Sequence, residues 1–271
     1  MQQEQSNRFK RRTVDIDKLK QRQQTKAMRR RVFYVGLFLA LSVVFAAVCF
    51  LVFFKIKTVE VEGSTRYTAE EIIKAFGVEE GSNLYSFTAS ALEEKMVMEL
   101  PYLSKVEIER DLPSTVVIHV TEKQPGMYVE ISGDRYLLTD NMQILEYTDD
   151  PSKLYGLLRV DMEPETVARC IVGEKLLFAD VRTGDVVEQA YADIIDAGMV
   201  NRVNYIDANN RFGIYLGVDG KYDIYMGDIE EFDTKLAFAI GILEKLSTIP
   251  GDTGNGTIDV SEINKGVFRP N

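Results

Sequence analysis

The chain has 271 residues, a formal net charge of −10, a hydrophobic fraction of 45% and seven prolines, and this composition indicates that most of it is globular rather than disordered. Its two cysteines, Cys49 and Cys170, cannot support a disulfide-rich secreted fold, because Cys49 lies inside a long apolar run. The charge is unevenly divided: residues 1–31 contain eleven Lys or Arg and three acidic residues, whereas the residues after the apolar run carry about 18 net negative charges. Such an acidic part repels nucleic acid.

The apolar run covers residues 32–54 and reads VFYVGLFLALSVVFAAVCFLVFF, without a charge. At about 1.5 Å per residue, a helix of this length crosses the hydrocarbon core of a bilayer, about 30 Å thick. Because basic flanks stay in the cytoplasm, we expect residues 1–31 to be a cytoplasmic arm, mostly disordered, and the remainder to lie outside. A cleaved signal peptide is the alternative, but the run is too long and no small-x-small cleavage site follows it.

The first 70 residues after the run predict the order strand, helix, helix, strand, strand. Alternation in residues 55–62 predicts the first strand, which ends at Gly63. Thr68 with Glu71 predicts a capping box at the start of the first helix, and Ser90 with Glu93 predicts another at the start of the second. Two alternating strands follow, centred on residues 106–108 and 116–120 and joined by a turn at residues 111–114.

This segment opens with V-E-V-x-G, continues with the hairpin LP-Y-x-x-x-V-x-I-x-R-x-x-P-S-T and ends with V-x-E-x-x-P. In these motifs and in its element order it resembles a POTRA domain of the FtsQ/DivIB family. The resemblance implies a cell-division protein of α+β class. It would consist of a single transmembrane helix, an extracytoplasmic POTRA domain (β-α-α-β-β) and a mixed β-rich domain with packed helices.

The remaining residues, 125–271, predict short strands and two helices. MYVEI, RYLLT and MQILEY are typical of a meander, and VNYID, GIYLG and KYDIYMG of a second run of strands. Asp185, with Glu188, is the predicted cap of a helix over residues 185–197 that turns Val187, Tyr191, Ile194 and Ile195 inward, and residues 228–246 predict a long amphipathic helix. Between these groups the pattern is weak, with a strand expected in residues 154–160 and a short helix in residues 164–177.

The sequence predicts no catalytic site, metal site or cofactor. His119 is the single histidine and lies on the second face of its predicted strand, so a structural or solvated role is favoured over catalysis. With one histidine and one cysteine outside the span, a tetrahedral zinc site cannot be assembled. Asp252-Thr253-Gly254 spells the aspartic-protease tripeptide, but such enzymes need two carboxylates, and the surrounding glycines favour a turn.

A partner surface is the remaining hypothesis. A final strand is expected at a sheet edge, where its unpaired backbone groups can be continued by another chain. The resemblance implies that this strand receives a segment of the small bitopic division proteins of the FtsB/DivIC and FtsL types, and it suggests a septal penicillin-binding protein as a further partner. The candidate partner-binding residues are Asp259, Val260, Ser261, Glu262, Ile263, Val267 and Phe268. A purely structural role in the sheet is the alternative for Ile258, Val260 and Phe268, and the POTRA strands 58–62 or 116–121 are alternative edges.

We therefore expect four parts: a basic cytoplasmic tail (1–31), a transmembrane helix (32–54), a POTRA domain (55–124) and a β domain that includes the C-terminal strand (125–271). The expected function is that of a non-enzymatic scaffold at the division septum. Two rivals remain open at this point. One is a membrane-assembly or secretion component, which would carry further POTRA repeats, and the other is a membrane-anchored wall hydrolase, which would carry an acid pair in a cleft.

Overall fold

The structure is a computed structural model, and it describes residues 2–248, 254–263 and 265–270, with side chains from residue 28 onward. The fold is α+β, as predicted. The helices are α1 (Gln2–Phe53), α2 (Ala69–Phe76), α3 (Ala89–Glu99), α4 (Val181–Asp196) and α5 (Phe232–Thr248). The strands are β1 (Thr58–Glu62), β2 (Leu103–Asp111), β3 (Thr115–Glu122), β4 (Met127–Ile131), β5 (Asp134–Leu138), β6 (Ile144–Thr148), β7 (Leu158–Asp161), β8 (Val167–Arg169), β9 (Leu177–Phe178), β10 (Val203–Asp207), β11 (Ile214–Val218), β12 (Tyr222–Gly227), β13 (Gly256–Glu262) and β14 (Lys265–Pro270).

The long helix α1 contains the expected span. Its segment Met28–Phe53 is the one helix of the described chain that is long and apolar enough to cross a bilayer. The expectation of a disordered arm is wrong, because the same helix continues back to Gln2. The arm has no Gly or Pro and is rich in Gln, Lys and Arg, which are good helix formers, and extending a helix that already exists avoids the cost of nucleation.

The chain divides into two compact units. The first comprises α1 and the residues up to Val59, together with the segments Glu79–Ser86 and Arg110–Val116. Backbone hydrogen bonds hold it together: the amide of Leu84 donates to the carbonyl of Phe54 at 2.7 Å, and the amide of Lys57 donates to the carbonyl of Ser114 at 2.8 Å. The second unit comprises Glu60–Val78, Phe87–Glu109 and all residues from Val117.

The three strands β1, β2 and β3 form a sheet in the order β1-β3-β2 and follow the predicted element order. Thr68 and Glu71 form the predicted capping box of α2. The predicted box at Ser90 and Glu93 is wrong: α3 begins after Thr88, and the Glu93 carboxylate instead accepts a hydrogen bond from the amide of Ile108 at 2.8 Å. The Glu93 carboxylate therefore pairs with a backbone amide of strand β2 and not with the start of its own helix.

The other large sheet has nine strands in the order β14-β13-β12-β11-β10-β7-β4-β5-β6. Its centre is parallel, because β7 pairs in parallel with both β4 and β10, whereas β5–β6 and β13–β14 are antiparallel hairpins. Helices α4 and α5 contribute to the same hydrophobic core as the buried side of the sheet. This single nine-stranded sheet is not a second POTRA unit, and this disfavours the hypothesis of a membrane-assembly or secretion component with POTRA repeats.

Helices α4 and α5 differ from the predictions at their starts. Helix α4 begins at Val181, four residues earlier than predicted, and its cap is Asp180 rather than Asp185. Gly184 therefore lies within the helix, where its missing side chain leaves room for the ring of Phe178. The prediction that Ile195 turns inward is wrong, since this side chain is 45% exposed. Helix α5 begins at Phe232, and the Asp228 carboxylate instead accepts a hydrogen bond from the buried ammonium of Lys235 at 2.8 Å.

The weakly patterned region also differs. The expected strand is shorter, β7 at Leu158–Asp161, and the expected helix in residues 164–177 is a single 3-10 turn at Pro164–Thr166 followed by the β8–β9 hairpin. Val167, Ile171 and Val172 are β-branched, and Gly173 has a positive φ of 91°, all of which disfavour a helix there.

The carboxylate of Glu122 holds the turn after β1. It accepts hydrogen bonds from the amide of Thr65 (3.0 Å), the hydroxyl of Thr65 (2.5 Å), the amide of Arg66 (2.8 Å) and the hydroxyl of Ser64 (3.0 Å). Burial raises the pKa of Glu122, but these hydrogen bonds outweigh it and lower the pKa to about 2. Gly63, at φ 85°, precedes the turn, and a Cβ there would lie 2.3 Å from the carbonyl oxygen of Val120. Gly63 of the V-E-V-x-G motif and Glu122 of the V-x-E-x-x-P motif therefore stabilise the same turn after β1.

The turn places Arg66 against the nine-stranded sheet. The Arg66 guanidinium forms an ion pair with Glu146 of β6 and lies 4.6 Å from the ring centroid of Tyr102. Burial raises the pKa of Glu146, but the bonds from Lys153 and Arg66 outweigh it and lower the pKa overall. Tyr102 packs with Leu137 and Leu145 in a small buried cluster. Residues of the POTRA-like segment and of the large sheet are thus in direct contact.

We expect Glu122→Gln to lower the free energy of unfolding by about 1–3 kcal/mol at pH 7, because several hydrogen bonds to a charged acceptor weaken together. The folded-state pKa lies below the unfolded value of 4.5, so this contribution is present above about pH 4.5 and is lost as the pH falls toward 2. Denaturant unfolding of the full chain in micelles measures it, with Glu60→Gln on the exposed side of β1 as the control. If the difference in the free energy of unfolding between wild type and Glu122→Gln stayed constant from pH 7 to pH 3, the ionised Glu122 carboxylate would not be what stabilises the turn.

Candidate functional site

The candidate site is the edge strand β14. It pairs with β13 on one side, with Ile258 opposite Phe268 and Asp259 opposite Val267, and within the described residues no strand pairs with its other side. Strand β13 lies between β12 and β14 and is therefore interior. An edge strand presents backbone N–H and C=O groups outward, and these can accept an additional strand.

The structure divides the predicted site residues between an interior strand and the edge. Asp259 to Glu262 lie on β13, where Val260 is buried, and Ile263 lies just beyond its end with 46% exposure. Val267 and Phe268 lie on the edge strand itself, with Val267 39% exposed. The role of these residues in partner binding stays a prediction.

Close packing on helix α5 and on β12 holds strand β14 in place. A Cβ on Gly266 would lie 2.3 Å from Cδ1 of Ile242 and 2.9 Å from the ring of Phe238, so only glycine allows this approach to α5. The half-buried ring of Phe268 packs edge-to-face on Tyr222, with centroids 6.0 Å apart. Phe268 therefore anchors the strand to its own core, and the same ring is the one proposed from sequence as a partner anchor.

The outer face beside the edge combines basic and aromatic side chains. Lys265 pairs with Glu262 at 2.9 Å, and Arg269 lies 3.8 Å from Asp259. Neighbouring positions of successive strands place Val267, Asp259, Tyr225 and Tyr215 in one row, with the two tyrosine rings 4.8 Å apart. Sequence analysis did not single out Gly266, Lys265, Arg269 or these tyrosines. The period-2 alternation of GIYLG and KYDIYMG was the available signal for the tyrosines.

Other sheet edges are less suited to strand addition. The start of β6, at the opposite edge of the large sheet, is covered, because Ile144 exchanges backbone hydrogen bonds with Gly173 and Glu174. In the small sheet, β3 is the central strand, so the alternative edge at residues 116–121 is wrong. Strand β1, the other alternative, does lie at an edge of that sheet.

Of the residues considered for catalysis, His119 lies in the described part of the chain. His119 is partly exposed, with Nδ1 3.1 Å from Glu62 and Nε2 3.5 Å from Glu109, on the face opposite the buried Ile118 and Val120. In the described part of the chain, no three His, Cys, Asp or Glu side chains come together as a metal site would require. Asp252 and Thr253 of the tripeptide lie outside the described residues.

Comparison with known proteins gives consistent similarities. Residues 54–123 match the family described as POTRA domain, FtsQ-type. The chain is 25% identical over 213 residues to the cell division protein FtsQ of Corynebacterium glutamicum, covering 78% of this chain and 89% of that protein. It is 29% identical over 213 residues to the cell division protein DivIB of Clostridium tetani, covering 77% of each.

Among solved structures, the chain is similar to the major extracytoplasmic domain of the trans isomer of DivIB from Geobacillus stearothermophilus. The alignment covers 47% of this chain and 96% of that domain, with 15% identity and a TM-score of 0.29.

We expect Gly266→Ala to destabilise the β14 edge, because the added methyl group must displace Ile242 and Phe238, an overpacking that costs about 1–3 kcal/mol. Hydrogen exchange of the β14 amides should become faster than in the wild type. Gly241→Ala is the matched control: it adds the same methyl group within α5 where nothing lies within 4 Å, and it should leave exchange at β14 unchanged. Equal exchange in both variants would show that Gly266 does not hold the strand.

Proposed function

Because this chain belongs to the FtsQ/DivIB family of cell-division proteins, we propose that it is a non-enzymatic scaffold of the division machinery. In this proposal it binds small bitopic division proteins outside the membrane and so helps to control septum formation. The family match and relatives that cover more than three quarters of the chain support this function.

The observation that carries the proposal is the outer side of strand β14. A partner segment in extended conformation would continue the nine-stranded sheet there, with main-chain hydrogen bonds providing affinity and alternate side chains providing specificity. Lys265 and Arg269 are both well exposed on this strand and favour an incoming strand that carries acidic residues opposite them. The partners proposed are the FtsB/DivIC-type and FtsL-type proteins, with a septal penicillin-binding protein as a further member of the assembly.

The four-part organisation is also part of the proposal. Residues 1–31 form the cytoplasmic tail, 32–54 the transmembrane helix, 55–124 the POTRA domain and 125–271 the β domain, at the septum of a bacterial cell. A transmembrane anchor confines both partners to one membrane, which raises the effective concentration of the partner strand at β14.

Proline substitutions on β14 test strand addition. Neighbouring residues of an edge strand point their amides to opposite sides, so only one of Val267→Pro and Phe268→Pro removes an outward donor. We expect that variant to bind the exterior segments of FtsB/DivIC-type proteins about tenfold more weakly, which corresponds to about 1.4 kcal/mol. Phe268→Ala removes the ring that packs on Tyr222 but keeps the amide, and it therefore separates loss of the ring from loss of the donor.

The same proline on β13 is not a clean test, because Val260 is interior and its loss would unfold the sheet edge. Tyr147→Pro on β6, the opposite edge, serves as the control and should leave binding unchanged. If both β14 variants remain folded and bind like the wild type, addition at β14 is wrong and the interface lies elsewhere.

Membrane orientation can be measured with cysteine labelling. In a chain whose Cys49 and Cys170 are replaced by Ala, Tyr155→Cys introduces a thiol at a position that is 94% exposed, and Ser6→Cys introduces one in the basic arm. A membrane-impermeant maleimide should label Tyr155→Cys in intact cells and Ser6→Cys only after permeabilisation, because the basic flank remains in the cytoplasm. The reverse pattern would overturn the topology.

A further inference from the structure

Two segments of the first compact unit adjoin the outer end of the membrane helix: one bonds to the helix end, and the other bonds to Lys57 just after it. We call these segments, Glu79–Ser86 and Arg110–Val116, the foot. The side-chain amide of Asn83 donates to the carbonyl of Phe50 at 3.1 Å, and the amide of Leu84 donates to the carbonyl of Phe54 at 2.7 Å. These bonds fix the foot at a known position along α1.

That position follows from the charges and the helix rise. Arg29, Arg30 and Arg31 belong at the inner headgroup layer, and about 20 residues of helix cross the hydrocarbon core of about 30 Å. The core therefore ends near residue 51 of α1. Phe50 and Phe54, which hold the foot, flank this boundary, so the foot lies at the level of the outer headgroups.

The foot exposes apolar and aromatic surface at this level. Tyr85 is 50% exposed and Leu112 is 55% exposed. Both lie in short turns, and exposing such large apolar side chains to water is unfavourable. The Tyr85 ring stacks on Phe50 with centroids 5.3 Å apart and meets Phe54 edge-to-face at 5.8 Å. Tyrosine is the side chain that membrane proteins place in the headgroup layer, because its body is apolar and its hydroxyl is polar.

A cation completes the arrangement. The Arg110 guanidinium lies 5.7 Å from the ring centroid of Tyr85, and its Nε donates to the carbonyl of Leu84 at 2.7 Å. Lys55 and Lys57, between the helix and β1, are also exposed, and the exposed Glu79, Glu80 and Asp111 of the foot match these three positive charges in number. The surface is therefore amphipathic rather than basic, which suits zwitterionic lipid.

We propose that the foot is a lipid-binding surface, in which Tyr85 and Leu112 insert into the outer headgroup layer of the bilayer and seat the first unit against the membrane. The inference goes beyond partner binding and requires only that α1 spans the bilayer. Its consequence is that the residues directly after the membrane helix contact the bilayer surface through the foot instead of forming a free linker.

The chain contains no Trp, so one substitution creates a single fluorescent reporter. The full-length variants Tyr85→Trp and Leu112→Trp are reconstituted in phosphatidylcholine vesicles whose acyl chains carry bromine either near the headgroup or near the chain centre. We expect both reporters to be quenched by the shallow bromine several-fold more than Tyr155→Trp, a fully exposed control, and more than by the deep bromine.

Phe53→Trp, at the outer end of the span itself, should be quenched by the shallow bromine and shows that α1 is inserted. If it is quenched while neither Tyr85→Trp nor Leu112→Trp exceeds Tyr155→Trp, the lipid contact is overturned. If Phe53→Trp is also unquenched, the span is overturned and the contact with it. Because no partner is present, the outcome is independent of strand addition at β14, and Leu112→Trp provides the answer should Tyr85→Trp fail to fold.

Discussion

The hydrogen bonds to the Glu122 carboxylate are the constraint on which much of the exterior structure depends. They close the turn after β1, and this turn carries Arg66 to Glu146 and the ring of Tyr102. Without the turn, Arg66 would lose its position, and the cluster of Tyr102, Leu137 and Leu145 would lose the Arg66–Glu146 ion pair that lies beside it. One charged acceptor thus links the end of β3, the turn after β1 and the far edge of the large sheet.

Local signals predicted most of the elements, whereas tertiary contacts decided where several of them begin. The capping box of Thr68 and Glu71 is complete within four residues, and it was confirmed. Glu93 carries the same signature, but its partner is the amide of Ile108 in another strand, which no local pattern reveals. The predicted helix over residues 185–197 starts just after Gly184, but Gly184 lies within α4, where a Cβ would be 3.2 Å from the ring of Phe178.

The candidate site shows the same division. A late strand at a sheet edge was expected, and β14 occupies that place, but the sequence does not show that β13 pairs in parallel with β12 and so becomes interior. The alternation of Ile258 and Val260 is the same for an edge strand and a central one. The contacts of Gly266 are with Phe238 and Ile242 of α5, both more than 20 residues earlier in the chain, and no short-range pattern encodes them.

The parallel pairing of β12 with β13 also bears on the order of folding. The β13–β14 hairpin is local and can form within microseconds, but it can join the sheet only after the chain from Gly227 to Gly256, including α5, has crossed back over it. Closing such a loop delays the assembly of non-local strands. The β14 edge therefore becomes available late, after β13 has paired with β12.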